Sequence, residues 1–450
     1  MGKLFGTDGV RDKANQGNMT TEVAMKLGRA VGFYFKNKGN KEQWPAIVIG
    51  RDPRLSGTMI ESALAAGVCS AGVDAHLLGV VPTPAVATIA VQTGAVAGLV
   101  VSASHNPFFD NGIKVFKGDG FKLSDAEEAA LENLYYSANQ QLPLDDQVGA
   151  IYQLGNSTEI YSDFCIGTMA AGEPLKGLKL VIDCSNGATS HCAEAIFKTL
   201  GATVSVIHNT PDGMNINDHC GSQHTDVLCR KVKKANAHAG LAFDGDGDRL
   251  IAVDERGREL SGDQIMAICA KAYKESGQLK NNRVVPTVMS NVGFHAAMKS
   301  LGIEVDTAGV GDRKVLEVMQ QTGAVVGGED SGHMIFLDCH TTGDGIVSAL
   351  KLAETLKKSG AKLSELGNVM TPFPQKMINV DVKEKPPLEE VPALMTAIEE
   401  AEAELGDAGR VLIRYSGTQP MCRVMVEGPT ENKTTILAER LAAVVKDVMG

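Results

Sequence analysis

Three aspartates separated by single glycines, Asp244-Gly245-Asp246-Gly247-Asp248, followed at once by Arg249, are the densest chemistry in the chain. In extended backbone a period of two puts all three carboxylates on one side, and the glycines between them let the chain turn. Carboxylates that close repel one another unless a cation sits among them. Oxygen-only ligands select Mg²⁺ or Ca²⁺ rather than zinc. Glu255 stands where an EF-hand places its twelfth-position ligand, but Arg249 takes the sixth position, which needs Gly. Both flanks, 241–243 and 250–253, read as strand rather than helix. Arg249 beside a cation is a natural phosphate ligand.

Other loops carry complementary groups. A run of small and β-branched residues at 97–101 breaks into Ser102-Ala103-Ser104-His105-Asn106-Pro107 and returns through Asp110-Asn111-Gly112 to Lys114. It offers two hydroxyls, an imidazole, an amide and an ammonium at the end of a buried strand, where open α/β sheets keep their chemistry. Gly327-Gly328-Glu329-Asp330-Ser331-Gly332-His333 mixes acceptors, a hydroxyl and an imidazole, a set suited to a polyol. Arg414, Ser416, Gly417 and Thr418, with Arg423 following, combine guanidinium groups, hydroxyls and free backbone N–H groups into an anion-binding nest. Near the start, 5–11 is a glycine-rich turn ending on one more cation, Arg11. One hydroxyl in a rigid loop, one divalent metal, several cations and a polyol reader fit phosphoryl transfer to and from a sugar through a serine. Neither a Walker A motif nor a dinucleotide fingerprint occurs.

The elements that must position these loops repeat. A strand at 46–50, a helix at 58–71 and a strand at 73–78 recur at 179–183, 191–200 and 203–207, and again at 283–288, 294–301 and 303–306. Each helix stops at a glycine (Gly72, Gly201, Gly302), which suits a left-handed cap. Each copy then runs to a small-residue strand ending in one of the polar loops, so three related α/β domains can bring the loops to one place. Capping boxes at Ser124/Glu127 and Ser261/Gln264 start two further helices. The expected domains are 1–155, 156–255, 256–368 and 369–450, the last a smaller α+β unit with helices at 388–405 and 432–449.

A chain of 450 residues exceeds what one core serves. Its net charge of −11 argues against nonspecific nucleic-acid binding. Nine scattered cysteines without a CxxC pair read as reduced thiols. No secretory signal opens the chain, and the uncharged stretch 75–109 is interrupted by Pro82 and Pro84, so it is core and no membrane is involved. A cytoplasmic protein is expected.

SASHNP, DGDGDR, GGEDSGH and RYSGTQP, in that order and spacing, resemble the four signatures of the α-D-phosphohexomutase superfamily. FGTDGVR, DNGIK, TVMSN, VGDR at 310–313 and TTGDGI at 341–346 are most similar to its bacterial branch for glucosamine phosphates. The resemblance implies four domains, three related α/β units with mixed sheets plus the smaller α+β domain, around a central active-site cleft. It implies interconversion of glucosamine 6-phosphate and glucosamine 1-phosphate through a 1,6-bisphosphate, feeding UDP-N-acetylglucosamine synthesis. By position, Ser104 carries the phosphoserine required for activity. One Mg²⁺ is held by Asp244, Asp246, Asp248 and a phosphoserine oxygen. Lys114 and His333 match residues of proton transfer and orientation, and Arg11 and Arg249 match phosphate contacts. His105, Glu329 and Ser331 fall on the sugar side, while Arg414, Ser416, Gly417, Thr418 and Arg423 match the clamp on the phosphate that is not transferred. A homodimer is compatible with it.

Lys114 needs a lowered pKa to act as a base. The family's usual residues are absent at Asp12, which sets an anion next to Arg11, and at Gln419, while Asp330 occupies a variable position. The rival readings are a phosphomannomutase/phosphoglucomutase with the same apparatus, a metal-dependent phosphomonoesterase, and a sugar-phosphate sensor without turnover.

Overall fold

The repetition seen in the sequence is a repetition of topology. The computed structural model describes residues 4–6, 8–38, 43–137, 140–416 and 420–450. A first sheet has the order β1-β5-β4-β2-β3-β6, with β1 Val10–Lys13, β2 Ala46–Arg51, β3 Asp74–Val80, β4 Ala97–Val101, β5 Asp110–Lys117 and β6 Ile151–Gln153. A second has the order β11-β10-β9-β7-β8, with β7 Lys179–Asp183, β8 Thr203–Ile207, β9 Ala239–Phe243, β10 Leu250–Asp254 and β11 Glu259–Leu260. A third has the order β13-β12-β14-β15, with β12 Arg283–Val285, β13 Glu304–Val305, β14 Val326–Gly328 and β15 Met334–Phe336.

In every copy the strand that feeds a chemical loop (β4, β9, β14) lies between a parallel neighbour (β2, β7, β12) and an antiparallel return strand (β5, β10, β15). The sheets are therefore mixed, and the three polar loops occupy one topological position. β4 and β9 are buried along their whole length, which explains why they read as continuous small apolar runs and not as an alternation.

Local signals hold where they are chemical. Both capping boxes form, at Ser124/Glu127 and Ser261/Gln264. Gly72, Gly201 and Gly302 have φ of +81°, +91° and +60°, the left-handed conformation that ends a helix. Two expected helices are divided. The stretch 191–200 is a 3₁₀ turn, Ala188–His191, and a short helix, Ala193–Thr199, separated at Cys192, whose φ of −130° is not helical. The stretch 388–405 is a 3₁₀ turn, Leu388–Glu390, followed by the helix Pro392–Leu405, because Pro392 has no N–H to give and fits the first helical position.

The chain forms two compact units, residues 1–289 with 304–368, and residues 290–303 with 369–450. The first holds the three α/β sheets. The second holds the antiparallel sheet β16-β18-β17 (β16 Gln375–Asp381, β17 Arg410–Tyr415, β18 Met421–Glu427) and the helices Pro392–Leu405 and Glu431–Met449. Leu394, Ala401, Val424, Leu437 and Leu441 form its core. The helix Val292–Leu301, the crossover of the third copy, belongs to this second unit and is capped by Asn291.

Candidate active site

Ser104 lies three residues past the end of β4 and is buried. Its Oγ donates to Asp244 Oδ2 at 2.6 Å, so the serine loop and the acidic loop meet although 140 residues separate the two side chains. Ser102, the other hydroxyl of the loop, is structural: it accepts the Ser104 N–H at 2.9 Å and donates to Asp52 Oδ2 at 2.6 Å. Asp244, Asp246 and Asp248 are buried and offer oxygens within 4.8 Å of one another. Asp246 Oδ1 and Asp248 Oδ1 are buried and accept no hydrogen bond. Buried carboxylate oxygens without hydrogen bonds, in a group whose ligand atoms lie within 4.8 Å of one another, are what a hard divalent cation satisfies, so the residues fit the expected metal.

The acidic loop is pinned from several sides. Thr83 Oγ1 donates to Asp246 Oδ2 at 2.6 Å and its N–H to the Asp246 carbonyl at 2.8 Å. Gly345 N–H donates to the Gly247 carbonyl at 3.0 Å. Arg249 pairs with His333 as an isolated antiparallel bridge, and Leu250 N–H donates to the Gly332 carbonyl at 3.0 Å, which joins the acidic loop to the loop that follows β14. Gly343 lies against the His333 imidazole; a Cβ there would stand 2.1 Å from Nε2.

A closed run of alternating charge surrounds the trio. Lys114 Nζ lies 3.0 Å from Asp246 and from Asp248 and 3.3 Å from Asp8. Asp8 pairs with Lys122 at 2.7 Å and with Arg11, and Lys122 pairs with Asp312. The His333 imidazole stands between Asp312 (3.4 Å) and Asp248 (3.6 Å). Asp8, Lys122, Asp312 and Thr83 were not among the expected site residues. Asp8 and Asp312 do sit inside quoted motifs, 5–11 and 310–313, whereas Lys122 and Thr83 carry no local sign of their role.

Burial raises Asp244 well above the carboxylate range, and the charges of Asp248 and Asp246 add to it. Burial acts the same way on Asp248, but Lys114 and His333 overcome it and hold that carboxyl low. As a base Lys114 would need a lowered pKa, and the protein groups alone push it in the opposite direction. Burial would lower its pKa, yet Asp246, Asp248 and Asp8 outweigh burial and Arg11 together and hold the side chain firmly as an ammonium. His105, with Nδ1 3.4 Å from Ser104 Oγ, is pushed down to about 4 by burial and by Arg249 and Arg11, so it is a neutral imidazole at pH 7.

Glu329 accepts Gly311 N–H at 3.1 Å and helps to raise the pKa of Arg249, and Ser331 Oγ is buried without a hydrogen-bond partner. Arg249 Nε lies 3.9 Å from Asp248 and 4.0 Å from Asp244. The two unusual acids turn away from the trio. Asp12 accepts the N–H groups of Lys13 and Asn18, because strand alternation sends it to the face opposite Arg11. Asp330 accepts Asp263 N–H at the start of the helix Gly262–Glu275. A cavity of about 440 Å³ bordered by His238, Lys357 and Lys362 contains none of the site residues.

In the second unit, Arg414 and Arg423 are directly opposite on β17 and β18. Like charges so placed repel, and burial together with the Arg423 charge lowers the pKa of Arg414. Arg423 Nε is buried without a hydrogen bond. Two facing guanidinium groups, one of them with an unused buried donor, are what an anion would satisfy. Ser416 is buried beside them in sequence; its N–H donates to the Met421 carbonyl and its own carbonyl accepts Lys385 Nζ. Gly417, Thr418 and Gln419 lie outside the described residues.

Four family models described as Phosphoglucomutase/phosphomannomutase match the chain: alpha/beta/alpha domain I at residues 2–142, domain II at 160–257, domain III at 261–373 and the C-terminal domain at 377–444. The chain is 51% identical over 452 residues to a phosphoglucosamine mutase of Syntrophus aciditrophicus, with 100% of both chains covered. It is 50% identical to that of Syntrophobacter fumaroxidans, again with 100% of both covered. Among solved structures, a phosphoglucomutase/phosphomannomutase family protein of Burkholderia thailandensis matches with a TM-score of 0.81 at 25% identity, covering 99% of this chain and 97% of that one. An Aspergillus fumigatus N-acetylphosphoglucosamine mutase, solved with GlcNAc-6P and magnesium, shares the fold at a TM-score of 0.68 and 18% identity, covering 99% and 96%.

Proposed function

Because the chain belongs to the phosphoglucomutase/phosphomannomutase family, we propose that it is an isomerase of glucosamine phosphates, working through a phosphoserine at Ser104. It interconverts glucosamine 6-phosphate and glucosamine 1-phosphate by way of glucosamine 1,6-bisphosphate and so feeds UDP-N-acetylglucosamine synthesis. The observation that carries the residue assignment is the contact of Ser104 Oγ with Asp244, 2.6 Å apart inside a buried carboxylate trio.

In the forward half-reaction the bond from phosphorus to Ser104 Oγ breaks as a bond from phosphorus to the free O1 or O6 of the sugar forms. The sugar hydroxyl gives up its proton and Oγ takes one. The second half-reaction runs the reverse sequence from the other end of the bisphosphate. Arg11 and Arg249 neutralise the phosphoryl oxygens, and Glu329 and Ser331 read sugar hydroxyls. Lys114 and His333 present N–H donors toward the reacting oxygens, and His105 stands beside Oγ as a neutral imidazole. Arg414, Ser416, Gly417, Thr418 and Arg423 hold the phosphate that stays. Asp244, Asp246 and Asp248, with a phosphoserine oxygen, would hold Mg²⁺, which when bound would neutralise charge on the group being transferred.

The functional domains are 1–155, 156–255, 256–368 and 369–450. The site of action is the cytoplasm: no described helix is long and apolar enough to cross a membrane, and all nine cysteines are free thiols. The chain works as a homodimer, a reading supported by exposed Leu144, Val148, Ile151 and Tyr152 along the open edge at β6.

A coupled assay comparing glucosamine 6-phosphate with mannose 1-phosphate and glucose 1-phosphate tests the substrate, and the amino sugar is expected to turn over fastest. Ser104→Ala abolishes turnover and the phosphopeptide while the fold survives. Full activity in that variant would overturn the mechanism.

A further inference from the structure

Ser104 adopts left-handed backbone, with φ +53°, a conformation that a residue with a side chain keeps only where its surroundings hold it. Its amide side is held within its own loop by Ser102 and Asp52. Its carbonyl side is held by two donors that converge on one oxygen. Arg54 Nη2 donates to the Ser104 carbonyl at 2.9 Å, and so does Asn217 Nδ2 at 2.9 Å. The same two donors reach the Asn106 carbonyl, at 2.8 and 3.0 Å.

The two donors have different origins. Arg54 is fully buried against Asp52 and belongs to the same α/β copy as Ser104, so it shapes the loop from within. Asn217 arrives from the second copy, in the connection between β8 and β9. It is itself left-handed at φ +59°, and its N–H donates to the Ser185 carbonyl at 2.9 Å. Its amide is wedged against the acidic loop. A Cβ on Gly245 would stand 2.7 Å from both Asn217 Nδ2 and the Ser104 carbonyl oxygen.

We propose that Asn217 is a positioning residue that ties the serine loop to the acidic loop and sets the distance between Ser104 Oγ and the Asp trio. It touches no reacting atom and acts through two backbone carbonyls. The inference rests on Ser104 as the phosphoryl carrier. Without the amide, Arg54 still shapes the serine loop, and Thr83 and Lys114 still reach Asp246 and Asp248 from the first copy. Of the described hydrogen bonds that join residues 102–107 to the second copy, however, only that of the Ser104 hydroxyl on Asp244, which must move during the reaction, remains. A misregistered nucleophile lowers the chemical step and leaves room for water to compete, while sugar binding is untouched.

Asn217→Gly keeps the left-handed backbone and deletes the amide, and Asn217→Asp keeps the shape and deletes the donor. Both are expected to lower kcat about 10- to 100-fold with KM within about twofold of wild type. Both are expected to release more inorganic phosphate per turnover. Asn217→Gly is expected to melt at the wild-type temperature, and Asn217→Asp, whose carboxylate faces two carbonyl oxygens, to melt lower while remaining folded. Unchanged kcat and phosphate release in both, or a loss of activity that only follows a loss of folded protein, overturns the proposal. Hydrogen exchange at the amides of 102–106 reads the tether with neither sugar nor phosphate present. Faster exchange in the variants supports it and equal exchange overturns it, whereas absence of turnover in the wild type sinks the functional reading alone.

Discussion

Asp244, Asp246 and Asp248, and a second group formed by Asp183, His208 and Cys220, each gather three ligand-type atoms within 4.8 Å of one another. The first group leaves buried oxygens on Asp246 and Asp248 without hydrogen bonds, and burial with mutual repulsion pushes Asp244 far up. The second group is already satisfied. Asp183 accepts Ser185 N–H at 2.9 Å and pairs with His208 Nδ1 at 2.9 Å. Burial pushes the Cys220 thiol up to about 12, with Asp183 and Asp218 adding to it, so it carries no thiolate at neutral pH. Proximity of ligand types is common to both; unsatisfied valence belongs only to the first. A cation is called for where the protein alone leaves charge and lone pairs unpaired.

The sharpest way to break that contrast is Asp244→Asn. Turnover is expected to fall by about a thousandfold or more, since the cage loses a charged ligand beside the nucleophile. In the presence of a chelator, however, the variant should melt at a higher temperature than the wild type, because the substitution removes a carboxyl that the metal-free fold must either ionise among like charges or protonate at a cost, and keeps a partner for Ser104. A lower melting point without metal would mean that the trio is self-satisfied like its neighbour.

That distinction was only half legible in the sequence. The three polar loops announced themselves because each follows a buried strand and concentrates groups that cost energy to bury, and β4, β9 and β14 do occupy equivalent places. Local rules of capping carried through at Ser124, Ser261 and Gly302. Lys122, Thr83, Arg54 and Asn217 stayed invisible because their roles exist only through partners 114, 163, 50 and 113 residues away. The direction in which the protein groups alone shift Lys114 was hidden for a related reason. Its sign depends on counting neighbours, and Asp8 adds a third carboxylate that spacing along the chain cannot reveal.

A second, smaller effect concerns pH. The hydrogen bond that His208 donates to Asp183 raises the histidine pKa above its ordinary value against the pull of burial. A histidine whose folded pKa is raised contributes stability that is complete below the unfolded value, near 6.5, and is lost as pH rises through the folded value. Chemical denaturation of the wild type should therefore lose stability from about pH 6.5 upward, relative to His208→Asn, whose profile lacks that component. Parallel profiles would show that the pair is not what satisfies Asp183.

The smallest effect is also the most decisive for the second group. Cys220→Ala removes one sulfur from a buried position and should cost about 1 kcal/mol, with no change in kcat. Metal analysis after exposure to zinc, with Mg²⁺ in excess to occupy the trio, should give the same zinc content in the variant and the wild type. The reason is thermodynamic: zinc there must take the proton from a thiol held near 12 and displace the His208–Asp183 hydrogen bond before any coordination energy is gained. One equivalent of zinc bound by the wild type and lost in the variant would show that coordination overcomes both costs, and that a hydrogen-bonded triad is no less a cation site than an orphaned one.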